Sequence, residues 1–213
     1  MKYGFREDQV NTGGPKFPIG PAIDNVILEK VEYVSGQDKN GSSFEAVDFY
    51  YQREDEAGVE QKIKDRLFTV NESTLQPKPN MTLEDVTKKA YEVFNTKLLR
   101  VAEACNIGRE EVQEQCANSS TFRELIETYA EIINSRAKGN FFWLKTLPDN
   151  NGYTRVAAFT DFIQNMSEST CRLMYTKYEQ DKIANMRTAP AAGVHEEAGA
   201  PGTDWSNVSE SKF

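Results

Sequence analysis

The sequence holds a single histidine, His195, in a stretch of Ala, Gly, Pro, Ser and Glu near its end. With no other imidazole, no Ser-His-Asp or Cys-His arrangement can be assembled on a folded scaffold. Cysteine is nearly as scarce. Cys105, Cys116 and Cys171 are odd in number and widely spaced, with no CxxC or HxxxH, so neither a disulfide framework nor a zinc site is expected. No apolar run approaches the roughly 20 residues of a membrane-spanning helix, and "MKYGFREDQV" lacks the apolar centre of a signal peptide. Basic residues are outnumbered, 25 Lys and Arg against 33 Asp and Glu, for a formal charge of −8. Coating nucleic acid by bulk charge is thereby excluded, and any such role requires a local basic surface. "NTGGPKFPIG" has glycines and a lysine but not the GxxxxGK spacing of a phosphate loop. Carboxylates are plentiful, but "REDE" and "REEVQE" read as turns and solvated faces rather than a carboxylate-metal nuclease. The expectation is a soluble cytoplasmic protein, not an enzyme, with no metal or cofactor.

What is present is a change of period along the chain. Residues 1–21 hold four Gly and three Pro without any period and read as an irregular arm. "NVILEKVEYVSG" (25–36), "SFEAVDFYYQRE" (43–54) and "VEQKIKDRLFTV" (59–70) alternate at period 2, with Asn40-Gly41 and Gly58 at the intervening turns. They predict a three-stranded meander. After "LQPKPN", Thr82 and Asp85 stand in a capping-box arrangement, and apolar residues from Val86 to Cys105 recur at helical spacing. Gly108 opens a shorter helix. Ser119 or Ser120 is the expected cap of a third, whose stripe is Phe122, Leu125, Ile126, Tyr129, Ile132 and Ile133. Residues 82–138 are thus expected to be helical. "NFFWLKTL" (140–147) and "YTRVAAF" (153–159) predict a hairpin around "PDNNG", and a last helix is expected from about Ser167 to Met186.

Three meandering strands, a helical block and a hairpin follow the element order of the OB-fold, a five-stranded Greek-key barrel. The expected fold is therefore α+β, mainly β: an OB-like barrel over 22–186 with a large helical insertion, 82–138, between strands 3 and 4. An open five-stranded sheet covered by a helical subdomain has the same element string. Residues 187–213 read as a disordered acidic tail.

The strands interleave aromatic and basic residues. Lys30 and Tyr33 share the first strand, Tyr50 stands on the second, and Lys62, Lys64 and Arg66 recur at period 2 on the third. Trp143 and Lys145 lie on the fourth, Tyr153 and Arg155 on the fifth. Single-stranded nucleic acid is held by this pairing: rings stack on unpaired bases while cations neutralise phosphates. The plainer reading puts Phe49, Phe141 and Trp143 in the core and leaves the Lys/Arg stripe solvated.

In the tail, Glu196, Glu197, Asp204 and Glu210 stand against Lys212, with Trp205 and Phe213 among them. Aromatic rings in a disordered acidic segment are candidate anchors for a partner's pocket. In this architecture and tail the chain resembles phage-type single-stranded DNA-binding proteins, which join an OB-fold to an acidic C-terminal tail ending in Phe. The resemblance implies single-stranded DNA as partner in replication, recombination or repair. It also implies recruitment of a polymerase, helicase or primase through Trp205 and Phe213, and host-cell cytoplasm as the location. A homo-oligomer is compatible with it. The alternative is a phage structural or assembly interaction protein without nucleic-acid binding.

Overall fold

The structure, a computed structural model, describes residues 16–39, 41–149, 153–157 and 161–188. It is α+β. Strands β1 (Ile23–Gln37), β2 (Ser43–Glu54) and β3 (Glu60–Phe68) form the expected antiparallel meander. Helices α1 (Leu83–Ala104), α2 (Arg109–Cys116) and α3 (Phe122–Ala137) follow. Four short strands come next: β4 (Phe142–Leu144), β5 (Thr146–Pro148), β6 (Thr154–Val156) and β7 (Ile163–Asn165). Helix α4 (Lys177–Thr188) is the last element among the described residues.

The main sheet has the order β3-β2-β1-β4-β7, and β5 pairs with β6 in a separate ribbon. Lys145 is the joint between the two. Its N–H donates to the Phe162 carbonyl on the β7 side, and its own carbonyl accepts from Ala157 beyond β6. Across that kink the chain passes from the sheet into the ribbon, and β6 comes back alongside β3. No hydrogen-bonded ladder joins β6 to β3 among the described residues, so the sheet is open at β3 and β7. This departs from the closed barrel expected from the element order, and the reason is strand length. Three-residue strands around a kinked joint cannot supply the continuous register that closure requires.

A β-bulge sets which residues of β1 face inward. Register shifts between Leu28 and Lys30, so the buried alternation runs Val26, Leu28 and then Val31. Without the extra residue, Lys30 would point into the core. Val47, Phe49 and Tyr51 of β2 and Ile63 and Leu67 of β3 complete the inner face, against which the helices pack. Helix α3 lies along β1, and Asn134 caps the edge that β4 leaves free. Its Oδ1 accepts from Val31 N–H at 2.7 Å, and its Nδ2 donates to the Val31 carbonyl at 2.8 Å. A side-chain amide thus substitutes for a neighbouring strand.

The Thr82–Asp85 capping box forms as expected. The third helix is capped by Thr121 rather than by Ser119 or Ser120, while Ser120 donates to Glu124. The final helix begins ten residues later than expected. Gln164 ties the segment before it into a loop, donating to the Thr170 carbonyl and accepting from Arg172 N–H. The end of the N-terminal arm is packed: Phe17 is buried, and the Gly20 and Thr146 backbones are bonded. Among the described residues, no helix is long and apolar enough to cross a membrane.

Candidate nucleic-acid interface

The outer face of the meander gathers five of the sequence-predicted residues. Register places Lys30, Tyr50 and Lys64 in one cross-strand row, with Glu32, Asp48 and Arg66 in the next. Lys62 continues the stripe opposite Gln52, and Phe44 and Phe68 stand at its other end. Residues opposite one another on neighbouring strands share a face, so this grouping follows from the pairing itself.

At its centre lies Asp48, fully buried although it belongs to the outer face. Arg66 donates to both Asp48 oxygens at 2.7 Å, a bidentate charge-assisted pair, and Lys64 approaches at 3.7 Å. The Arg66 guanidinium lies 5.3 Å from the Phe44 ring centre and 5.9 Å from that of Phe68, two rings that meet edge to face. The Phe44 ring in turn crosses Gly36, where an added Cβ would come within 3.1 Å of it. Tyr50, half-buried beside Asp48 and Glu32, has its phenol pushed up to about 12, by burial first and then by its bond to Glu32. Lys30 pairs with Glu32, and Lys62 reaches Glu60 at 3.4 Å and Glu29 at 3.9 Å. Every cation of this face therefore already has a carboxylate.

Two predicted residues are corrected. Lys145, expected to hold phosphate, is 1% exposed. Its Nζ donates to Glu179 Oε2 and to the Met174 carbonyl, each at 3.2 Å. Glu179 also accepts from Thr176 N–H at 2.7 Å, so it anchors the start of α4 and fixes that helix over the β4–β5 joint. Tyr33 lies on the opposite face from Lys30. Its hydroxyl donates to Glu45 at 2.6 Å, its ring meets Phe122, and Arg123 sits over it. The aromatic assignments shift as well. Phe49 is buried as expected, but Phe141 is 52% exposed and Phe142 is the ring that enters the core. Trp143 is half-buried, opposite Gln164.

Tyr153 and Arg155 lie apart from the sheet face, on the β5–β6 hairpin. Tyr153 is 66% exposed, and Arg155 is exposed with no ion pair among the described residues. Trp205 and Phe213 are outside the described residues. No family model, curated protein or solved structure matches this chain.

A cleft of about 30 Å³ between Leu75, Met81, Val86, Ala90 and Val93 has room for a water or two, far below the roughly 300 Å³ of a ligand pocket. A shallow polar groove between α2 and α3 is crossed by the Arg136–Glu111 pair. No cluster of three or more His, Cys, Asp or Glu suited to a metal occurs among the described residues. Cys105 is buried, which pushes its thiol up to about 12 and keeps it protonated at neutral pH.

Proposed function

We propose that this chain binds single-stranded nucleic acid, DNA in a replication or recombination setting, through the outer face of β1–β3 and the adjoining β5–β6 hairpin. The observation that carries the reading is the cross-strand row Lys30–Tyr50–Lys64, a half-exposed ring between two exposed cations on a regular sheet. Bases stack on such a ring while flanking ammonium groups meet the phosphates. The circuit β3-β2-β1-β4, then β5–β6 returning beside β3, supports an OB-like identity for the domain. In that fold the strand 2–3 face and the loop between strands 4 and 5 are the oligonucleotide surface. Tyr153 follows the corresponding loop here. The acidic segment beyond α4, with Trp205 and Phe213, is assigned to partner proteins.

Binding of this kind weakens with salt because phosphate contacts release counterions. Titration of the full chain with oligo-dT, followed by quenching of intrinsic fluorescence, is expected to saturate at low salt and to weaken steeply as salt is raised. Absence of binding at low salt removes the reading and leaves a protein-interaction domain in its place.

A further inference from the structure

The outer face of the sheet continues past β1, and one cross-strand row on it ends at an exposed ring. Lys62 of β3 stands opposite Gln52 of β2, and Gln52 opposite Ile27 of β1. On the other side of β1, Val26 is paired with Phe142 of β4, and the same antiparallel register puts Ile27 beside Phe141. The Phe141 carbonyl accepts the Met166 N–H at 2.9 Å, which extends the β4–β7 pairing by one residue. Val26 and Phe142 are fully buried. Side chains alternate along a strand, so Ile27 and Phe141 point the other way, outward. Phe141 thus shares a face with Tyr50, two strands away and one row along. At about 4.8 Å per strand and 3.4 Å per residue, the two positions are roughly 12 Å apart. Trp143, two residues further along β4, faces the same way but is half-buried. It stands opposite Gln164, which holds the Thr170 carbonyl and the Arg172 N–H, so the loop after β7 lies on its side of the sheet.

We infer that Phe141 is a second base-stacking platform, placed so that one single strand of nucleic acid crosses the sheet from Tyr50 over β1 to β4. Every base has a flat apolar face, and an exposed phenyl ring stacks on it without any preference for sequence. Packing does not require a ring here, because Phe142 already fills the core side of β4. Ile27, half-buried between the two positions, gives the crossing strand an uncharged floor. A stacked strand rises only about 3.4 Å per nucleotide, so bases on rings roughly 12 Å apart belong to different nucleotides. The ring carries no charge, and phosphate contacts are left to the Lys30–Tyr50–Lys64 row. The inference rests on the nucleic-acid reading above and adds Phe141 and a path across β1 to it.

The test compares Phe141→Ala, Phe141→Leu and Phe141→Trp in the full chain, titrated against labelled oligo-dT across a salt series and read by fluorescence anisotropy. Leucine keeps apolar bulk but loses the flat face, whereas tryptophan keeps the face. The alanine and leucine variants are each expected to weaken binding about tenfold, the loss of one stacked base. The tryptophan variant should bind as tightly as the unmodified chain or more tightly. The slope of log affinity against log salt should stay the same in all three, since no phosphate contact is removed. Melting followed by circular dichroism should show all three folded, because the ring is exposed. A folded alanine variant that binds like the unmodified chain overturns the platform and leaves the general reading intact. A leucine variant that binds as well as phenylalanine overturns stacking and makes the ring an ordinary apolar contact. An unmodified chain that binds no oligo-dT overturns both the platform and the general reading.

Discussion

The sheet face and the hairpin corner use the same residue types to different ends. On β1–β3, Arg66, Lys64 and Lys30 are held by Asp48 and Glu32, and the guanidinium lies within 6 Å of the Phe44 and Phe68 ring centres. On that face each cation is paired, while the Tyr50 ring stays half-exposed between Lys30 and Lys64. At the hairpin, Arg155 is exposed with no ion pair among the described residues, and Tyr153 stands in solvent. Two basic and aromatic patches can look alike in composition and differ in whether their charges are already satisfied. A cation already paired offers a phosphate less than a free one does, because its carboxylate must first be displaced.

The sharpest way to break the contrast is to remove the acid that creates it. Asp48→Asn takes one partner from a buried pair and is expected to destabilise the fold by about 3 kcal/mol, read from denaturant unfolding. It also releases Arg66 and Lys64, so oligo-dT affinity measured below the melting transition should rise. Unchanged stability together with unchanged affinity would mean that the pairing does not restrain the face.

A smaller effect is expected from the rings. Tyr153→Ala should weaken oligo-dT binding by about 1–2 kcal/mol through lost stacking. Tyr91→Ala, on a helix where the hydroxyl donates to Glu72, should leave binding unchanged. Equal losses from both would show that exposed tyrosine as such, not the corner, makes the contact.

Alkaline titration separates the regions by burial. Burial raises Tyr50 to about 12 from an ordinary 10.0, and it raises Tyr51 and Tyr129 as well. The folded state thus binds these protons more tightly than the unfolded chain. The contribution of Tyr50 is complete below pH 10 and is lost as pH rises from 10 through about 12. Tyrosinate absorbance should accordingly appear together with unfolding over that window, as followed by circular dichroism. Full tyrosine ionisation in a chain still folded would contradict it.

The least effect belongs to Lys62→Gln, whose ammonium is exposed and shared between Glu60 and Glu29. A change in oligo-dT affinity beyond about twofold would mark the sheet stripe as a primary contact after all.

The meander was legible because β1–β3 are long and alternate cleanly, and the helices because their stripes and the Thr82–Asp85 box are local signals. The grouping of Lys62, Lys64 and Arg66 on one face was legible for the same reason, whereas Tyr50 joins them only through the strand register. Other features depend on distant partners. The phase of β1 hinges on one extra residue at the Leu28–Lys30 bulge, which turns Lys30 outward although Val26 and Leu28 face the core. Lys145 looks like any strand lysine until Glu179, 34 residues on, is seen to bury it. Strand β7 is three residues long, too short to show a period, and Gln164 within it turns what reads as a helix start into a loop.

The most direct measurement is photocrosslinking of the full chain to an oligo-dT carrying 5-iodouracil, with the modified peptides read by mass spectrometry. Crosslinks are expected at Tyr50 and at Tyr153. Crosslinks confined to α1–α3, or none under conditions where the oligonucleotide binds, would contradict the account.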